Sequence, residues 1–205
     1  GFETPEARVN AVGKREPSDR NPVLGEEKMR KSLAILTTLL LLQPNPVSAD
    51  LALGQTPPVL ILEGDAGGRV GGGLWSSASL EGKAHVLMYV DPDKVKINRH
   101  VEEALAKEEF DRQLLASVAV INMAASWKPD FAIDLILKGK QEKYPNTIYV
   151  RDRDRAFVTK WGLVDQGYHV LALSANGEVI FSVANELSNK QVTNLIETIH
   201  KHISP

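Results

Sequence analysis

Two acidic residues flank a proline in Asp91-Pro92-Asp93, directly after an apolar run, and Tyr168-His169 open another such run. A carboxylate and an imidazole held within hydrogen-bond reach in a pocket could trade protons with a bound molecule. The simpler reading of Asp91–Asp93 is a proline-containing turn at a helix start, with its carboxylates capped and kept ionised by the helix N-terminus. The five histidines are His85, His100, His169, His200 and His202. None has the i, i+4 spacing of a His-Glu-x-x-His zinc motif, and His200 and His202 splay onto different helix faces. Solvated or strand-borne histidines are the expectation, with no metal. No Gly-x-Ser-x-Gly elbow occurs. Cysteine is absent from all 205 residues. The chain therefore has no thiolate nucleophile, disulfide, zinc ribbon or Cys-ligated cluster.

Composition narrows the remaining classes. The chain is 43% hydrophobic and 24% charged, with a net charge of −2, the profile of an ordinary globular protein. That balance offers no basic surface for nucleic acid. Lys138, Lys140 and Lys143 read as a solvated face rather than a functional patch. The six glycines between Gly64 and Gly73 lack the Gly-Lys-Ser/Thr ending and following helix of a phosphate loop. They read as a mobile hairpin loop. No cofactor is expected.

Residues 1–28 are polar and aperiodic, a disordered prefix lying upstream of a start at Met29. Residues 29–49 then have the form of a secretory signal. Met29-Arg30-Lys31 is basic, Ser32–Leu42 is apolar but too short to span a bilayer comfortably, and Val47-Ser48-Ala49 closes the segment with a cleavage pattern. The expectation is export to the periplasm, cleavage after Ala49 and no membrane attachment thereafter; an uncleaved anchor is the alternative. Residues 50–205 would then form one domain, large enough for a single core.

Within that domain, elements of alternating type must position the candidate residues. Val59–Leu62 reads as a first strand and His85–Val90 as a buried one, followed by a helix over Asn98–Glu109. Leu114–Ile121 is near-continuously apolar, as in a strand covered on both faces. Pro129–Lys143 reads as a helix with Phe131, Ile133, Leu135 and Ile136 in its apolar pattern. Thr147–Val150 is a third strand and Asp152–Trp161 a short helix. Asn176-Gly177 between His169–Leu173 and Glu178–Val183 signals an antiparallel hairpin. Ser188 with Gln191 signals a capped last helix, with Leu187 and Val192 as a staple and Leu195, Ile196 and Ile199 as its stripe. Trp127 and Trp161 read as core or rim aromatics. This order predicts an α/β fold, a thioredoxin-like mixed sheet flanked by helices with an N-terminal β extension. A doubly wound parallel sheet is the alternative, opposed by the late hairpin.

Particular stretches carry a resemblance further. Leu53-Gly54-Gln55-Thr56-Pro57-Pro58 and Leu80-Glu81-Gly82-Lys83 are similar to the opening of exported thioredoxin-like proteins. Trp75–Lys83, Val120-Ile121-Asn122, Lys143-Tyr144-Pro145, Trp161-Gly162-Leu163 and Ser174–Val179 resemble the YtfJ family of periplasmic proteins of unknown function. The chain departs from that family's pattern at Met123-Ala124-Ala125, where an acidic pair is expected, and at Ser174, where an aspartate is usual. The resemblance implies that Asp91-Pro92-Asp93-Lys94 stands where redox-active relatives carry Cys-x-x-Cys. Gln166-Gly167-Tyr168-His169 stands where they carry a cis-proline loop. Both halves of the redox apparatus, and with them a peroxidase reading, would be missing. The expected role is binding, with another periplasmic protein as partner, through a surface comprising Asp91, Pro92, Asp93, Tyr168 and His169. A non-redox enzyme using acid–base groups in the same place is the alternative.

Overall fold

The computed structural model describes residues 51–203, so the prefix and signal expected before Ala49 lie outside the described residues. The described residues fall within the compact unit Pro46–Pro205. Its centre is a six-stranded sheet. Strands β4 (Ala84–Val90), β5 (Leu115–Asn122) and β6 (Thr147–Asp152) run parallel, linked by helices α1 (Arg99–Lys107) and α2 (Asp130–Lys143). After the short helix α3 (Ala156–Trp161), β7 (Tyr168–Leu173) and β8 (Val179–Ala184) pair antiparallel on the β4 side. Helix α4 (Asn189–Ile203) closes the chain.

Strand alternation divides the core into two layers. Val86, Met88 and Val90 point to one face, where Val101 of α1, Ile133 and Leu137 of α2, and Val192, Leu195 and Ile199 of α4 cover them. Leu87 and Tyr89 point to the other, under Phe157 and Trp161 of α3. Connectivity explains the split. The β4–β5–β6 crossovers advance one strand at a time across one face, whereas the β6–β7 link must return over the opposite face. Seven consecutive buried residues in β4 are what a central strand covered twice requires.

The N-terminal extension seals the α3 face. Strand β1 (Ile61–Leu62) pairs antiparallel with β3 (Trp75–Ser76). Leu60, Leu62 and Trp75 are buried there, and the Trp161 indole donates to the Pro58 carbonyl at 2.8 Å. The first strand is shorter than the apolar run: its pairing with β3 covers Ile61 and Leu62, whereas the Leu60 N–H donates to the Ser77 Oγ at 2.9 Å. The glycine segment is also more than a loop. Its residues Gly67–Arg69 form β2, which pairs antiparallel with β6 at the sheet edge. A Cβ on Gly67 would come within 2.0 Å of the Arg151 carbonyl oxygen, so only glycine permits this approach.

Other departures have equally local causes. Helix α1 ends at Lys107, two residues short, before Glu109 adopts a left-handed conformation. Asp152 belongs to β6, and α3 starts only after Arg155, also left-handed. In α2 only Ile133 and Leu137 face the core; Phe131, Leu135 and Ile136 are exposed, as is Trp127. The apolar pattern of this helix is thus two stripes, one for the core and one facing outward. The last helix follows its sequence signals. The Ser188 N–H donates to Gln191 Oε1 at 2.8 Å, and the Gln191 N–H donates to Ser188 Oγ at 3.4 Å.

Candidate functional site

Strands β4 and β7 are antiparallel neighbours with Val90 opposite Tyr168. The chain leaving β4 and the chain entering β7 must therefore meet at the same end of the sheet. The Asp91 N–H donates to the Gly167 carbonyl at 2.8 Å. The two segments that carry the candidate residues are joined by backbone.

Asp91 is buried, and its Oδ1 accepts the Asp93 N–H at 2.8 Å, closing an Asx turn around Pro92. This turn is not a helix start. Helix α1 begins only at Arg99, and Asn98 in front of it is engaged elsewhere. Its amide donates to the Asn185 carbonyl at 2.7 Å and accepts the Leu187 N–H at 2.9 Å. The expectation that a helix N-terminus keeps Asp91 firmly ionised is therefore corrected. Burial pushes the Asp91 carboxyl up, partly offset by Lys94 and Lys128. Asp93 points outward into an ion pair with Lys128 and accepts the Ser126 hydroxyl at 2.9 Å. The Ser126 Oγ in turn accepts the Lys128 N–H at 3.2 Å.

A second polar cluster lies at the C-terminal ends of β5 and β6. The buried Asn122 amide donates to Asp165 Oδ1 at 2.8 Å, and the Gln166 N–H donates to the same oxygen at 3.0 Å. Arg155 lies 3.3 Å from the other Asp165 oxygen and donates to the Ala124 carbonyl at 2.7 Å. Asn122 Oδ1 is buried and has no hydrogen-bond partner among the described residues. Gln166, exposed between these groups and Gly167, has φ +52, a conformation that a non-glycine side chain adopts at a cost. Sequence reading passed over Asn122, Ser126, Lys128, Arg155 and Asp165. The one signal for them was a polar Asn at the end of a buried apolar strand, the end where open α/β sheets place ligands.

Tyr168 and His169 diverge, because successive strand residues face opposite layers. The Tyr168 hydroxyl points into the α1 layer and donates to Glu102 Oε1 at 3.0 Å. Burial, first, and the Glu102 charge push its phenol above the usual range. His169 Nδ1 accepts the Val164 N–H at 3.4 Å, leaving Nε2 to donate to Ser182 Oγ at 2.9 Å. Of the five residues named from the sequence, Pro92 and Asp93 reach the surface, whereas Asp91, Tyr168 and His169 serve the interior. The arrangement presents an ion-paired turn beside a strained glutamine. Asp91, Asp93 and His169 are engaged with a turn, a lysine and a serine respectively, rather than gathered as an acid–base pair.

The other histidines act as pegs. His85 donates to the Lys83 carbonyl at 2.9 Å, His100 to the Leu187 carbonyl at 2.8 Å and His202 to the Thr198 carbonyl at 2.8 Å. Among the described residues no group of three His, Asp or Glu side chains could hold a metal ion. No helix among them is long and apolar enough to cross a membrane.

Comparisons with known proteins bear on the fold and the family. The structure is similar to a thiol-disulfide isomerase from Corynebacterium glutamicum, with TM-score 0.52 and 16% identity over 73% of this chain and 97% of that one. It is similar to the thioredoxin domain of a thiol-disulfide oxidoreductase from Bacteroides vulgatus, with TM-score 0.50 and 16% identity over 75% and 99% of the two chains. An exposed lipoprotein thioredoxin from Streptococcus pneumoniae gives TM-score 0.50 and 14% identity over 70% and 99%. At such identities the likeness establishes a thioredoxin-like fold. No curated protein sequence matches. Residues 68–202 match a family model described as a bacterial protein of unknown function, YtfJ_HI0045.

Proposed function

This chain belongs to the YtfJ_HI0045 family of bacterial proteins of unknown function, and from that premise we propose that it is an exported, redox-inactive thioredoxin-fold protein that acts by binding. The observation that carries the reading is the junction of Asp91 with Gly167. On this reading the junction answers to the paired loops at which thiol-disulfide relatives do their chemistry, filled here with an ion-paired turn. With no cysteine in the chain there is no thiol to attack a disulfide. What the junction offers is a polar contact surface of Pro92, Asp93, Lys128 and Gln166, with the exposed Trp127 next to Lys128 in the chain.

The export half of the proposal rests on the basic, apolar and small-residue pattern of residues 29–49. A partner would then be another periplasmic protein. Capture from periplasmic extract tests the binding half. The wild-type protein is expected to retain a partner that the double variant Asp93→Arg, Gln166→Arg releases. Retention of every partner by that variant would remove the support.

A further inference from the structure

Asp91 and Asn122 stand at the ends of neighbouring parallel strands. Val90 pairs with Ile121 in the last register position of β4 and β5, so the next residue of each chain is Asp91 beside Asn122. The Asp91 N–H bonds across to Gly167, which keeps this residue in line with the sheet. Side chains alternate along extended chain. Val90 and Ile121 lie in one core layer, and Tyr89 and Val120 in the layer under α3. Asp91 and Asn122 therefore both turn toward the α3 layer, where they are 5% and 1% exposed.

The Asn122 amide has a fixed orientation there. Its nitrogen donates to Asp165 Oδ1 at 2.8 Å, and a flipped amide would set two acceptors together. Its Oδ1 is thus a buried acceptor that has no hydrogen-bond partner among the described residues, a costly state. Arg155 does not supply the donor. Its Nε is turned to the other Asp165 oxygen at 3.3 Å and its Nη2 to the Ala124 carbonyl. An ionised carboxylate beside an amide oxygen repels it, whereas a carboxyl that carries a proton is a donor to it. We propose that Asp91, when protonated, donates its O–H to Asn122 Oδ1, so that one proton from solvent ties the end of β4 to the end of β5 and makes the junction sensitive to pH.

The charged groups around Asp91 set how readily it takes that proton. Burial, above all, and the Asp165 charge favour the acid, while Lys94 and Lys128 favour the carboxylate. Asp93 is paired with Lys128, and Asp165 with Arg155. From the neighbouring strands, Tyr89 bonds to Asp152, and His169 to Val164 and Ser182. The folded chain therefore holds the Asp91 proton more tightly than the unfolded chain. The tie is present at low pH and lost as pH rises through the carboxylate range. Above that range the turn at Asp91–Asp93 keeps its own hydrogen bond but loses its link to β5.

Carbon-13 NMR of the intact chain, labelled at aspartate and asparagine, reads both side chains directly. The Asn122 side-chain carbonyl is expected to shift with the same midpoint as the Asp91 carboxyl. Asn122→Ala is expected to weaken the proton affinity of Asp91 about tenfold. An Asn122 carbonyl that does not follow the Asp91 titration overturns the proposal, and so does an Asp91 midpoint unchanged in Asn122→Ala. Should that variant fail to fold, the wild-type titration decides alone. A crystal structure below the midpoint with a water on Asn122 Oδ1 in place of Asp91 equally overturns it. These readings need no partner, so they stand apart from the capture experiment.

Discussion

Asp91 follows β4 and Asp152 ends β6, yet the protein solvates them in opposite ways. Asp152 is fully buried and accepts four hydrogen bonds. Three come from the Asp154, Ala156 and Phe157 N–H groups, at 3.3, 2.9 and 3.1 Å, and one from the Tyr89 hydroxyl at 3.0 Å. It thereby anchors α3. Asp152→Ala should cost about 3 kcal/mol in urea unfolding, because several buried donors lose their acceptor, and Tyr89→Phe about 1 kcal/mol. The Asp91 carboxylate accepts the Asp93 N–H, and burial, partly offset by Lys94 and Lys128, holds its folded-state pKa above the unfolded value. The folded state then binds this proton more tightly, so its contribution is present at low pH and lost as pH rises through the carboxylate range. Asp91→Asn keeps an oxygen for the turn and removes the charge. Its urea midpoint should exceed wild type at about pH 7, and the advantage should vanish at about pH 3. Asp91 was visible in the sequence as an acid beside a strand end. The groups around it were not, since Asn122 and Asp165 are 43 residues apart and meet because the link from α3 to β7 passes the end of β5.

Elements with local signals were legible; elements made by distant pairing were not. The periodicity of β4 and β5, the Asn176-Gly177 hairpin and the Ser188–Gln191 cap each lie within a few residues of chain, and each element stands where its pattern places it. Gly67–Arg69 carries no strand pattern. It is a strand because the backbone of β6, more than eighty residues on, accepts it there. Gly67→Ala should therefore destabilise the protein by at least about 2 kcal/mol, through both the contact with the Arg151 carbonyl and the φ of +131. An unchanged melting temperature would mean that β2 is dispensable to the fold. In α2 the apolar pattern misled for a different reason. Periodicity reports which positions are apolar, not which face meets the core, and this helix has apolar residues on both.

At the scale of the whole molecule, a thioredoxin-like sheet carries a loop junction at its end in a chain without cysteine. The absence of cysteine, plain in the sequence, is enough by itself to exclude disulfide exchange. Folding adds that the segment leaving β4 is a closed turn, with Asp93 clasped by Lys128 and Ser126, and that the Asn122–Asp165–Arg155 cluster lies at the ends of β5 and β6. On the function proposed here, such a site would hold a partner without transforming it. Proximity at that junction is the direct measure. A photo-cross-linking residue at Gln166 should give a discrete protein adduct in periplasm, absent when the same residue replaces Lys190 on α4. Identical adduct patterns from the two positions, or none from Gln166, would contradict the account.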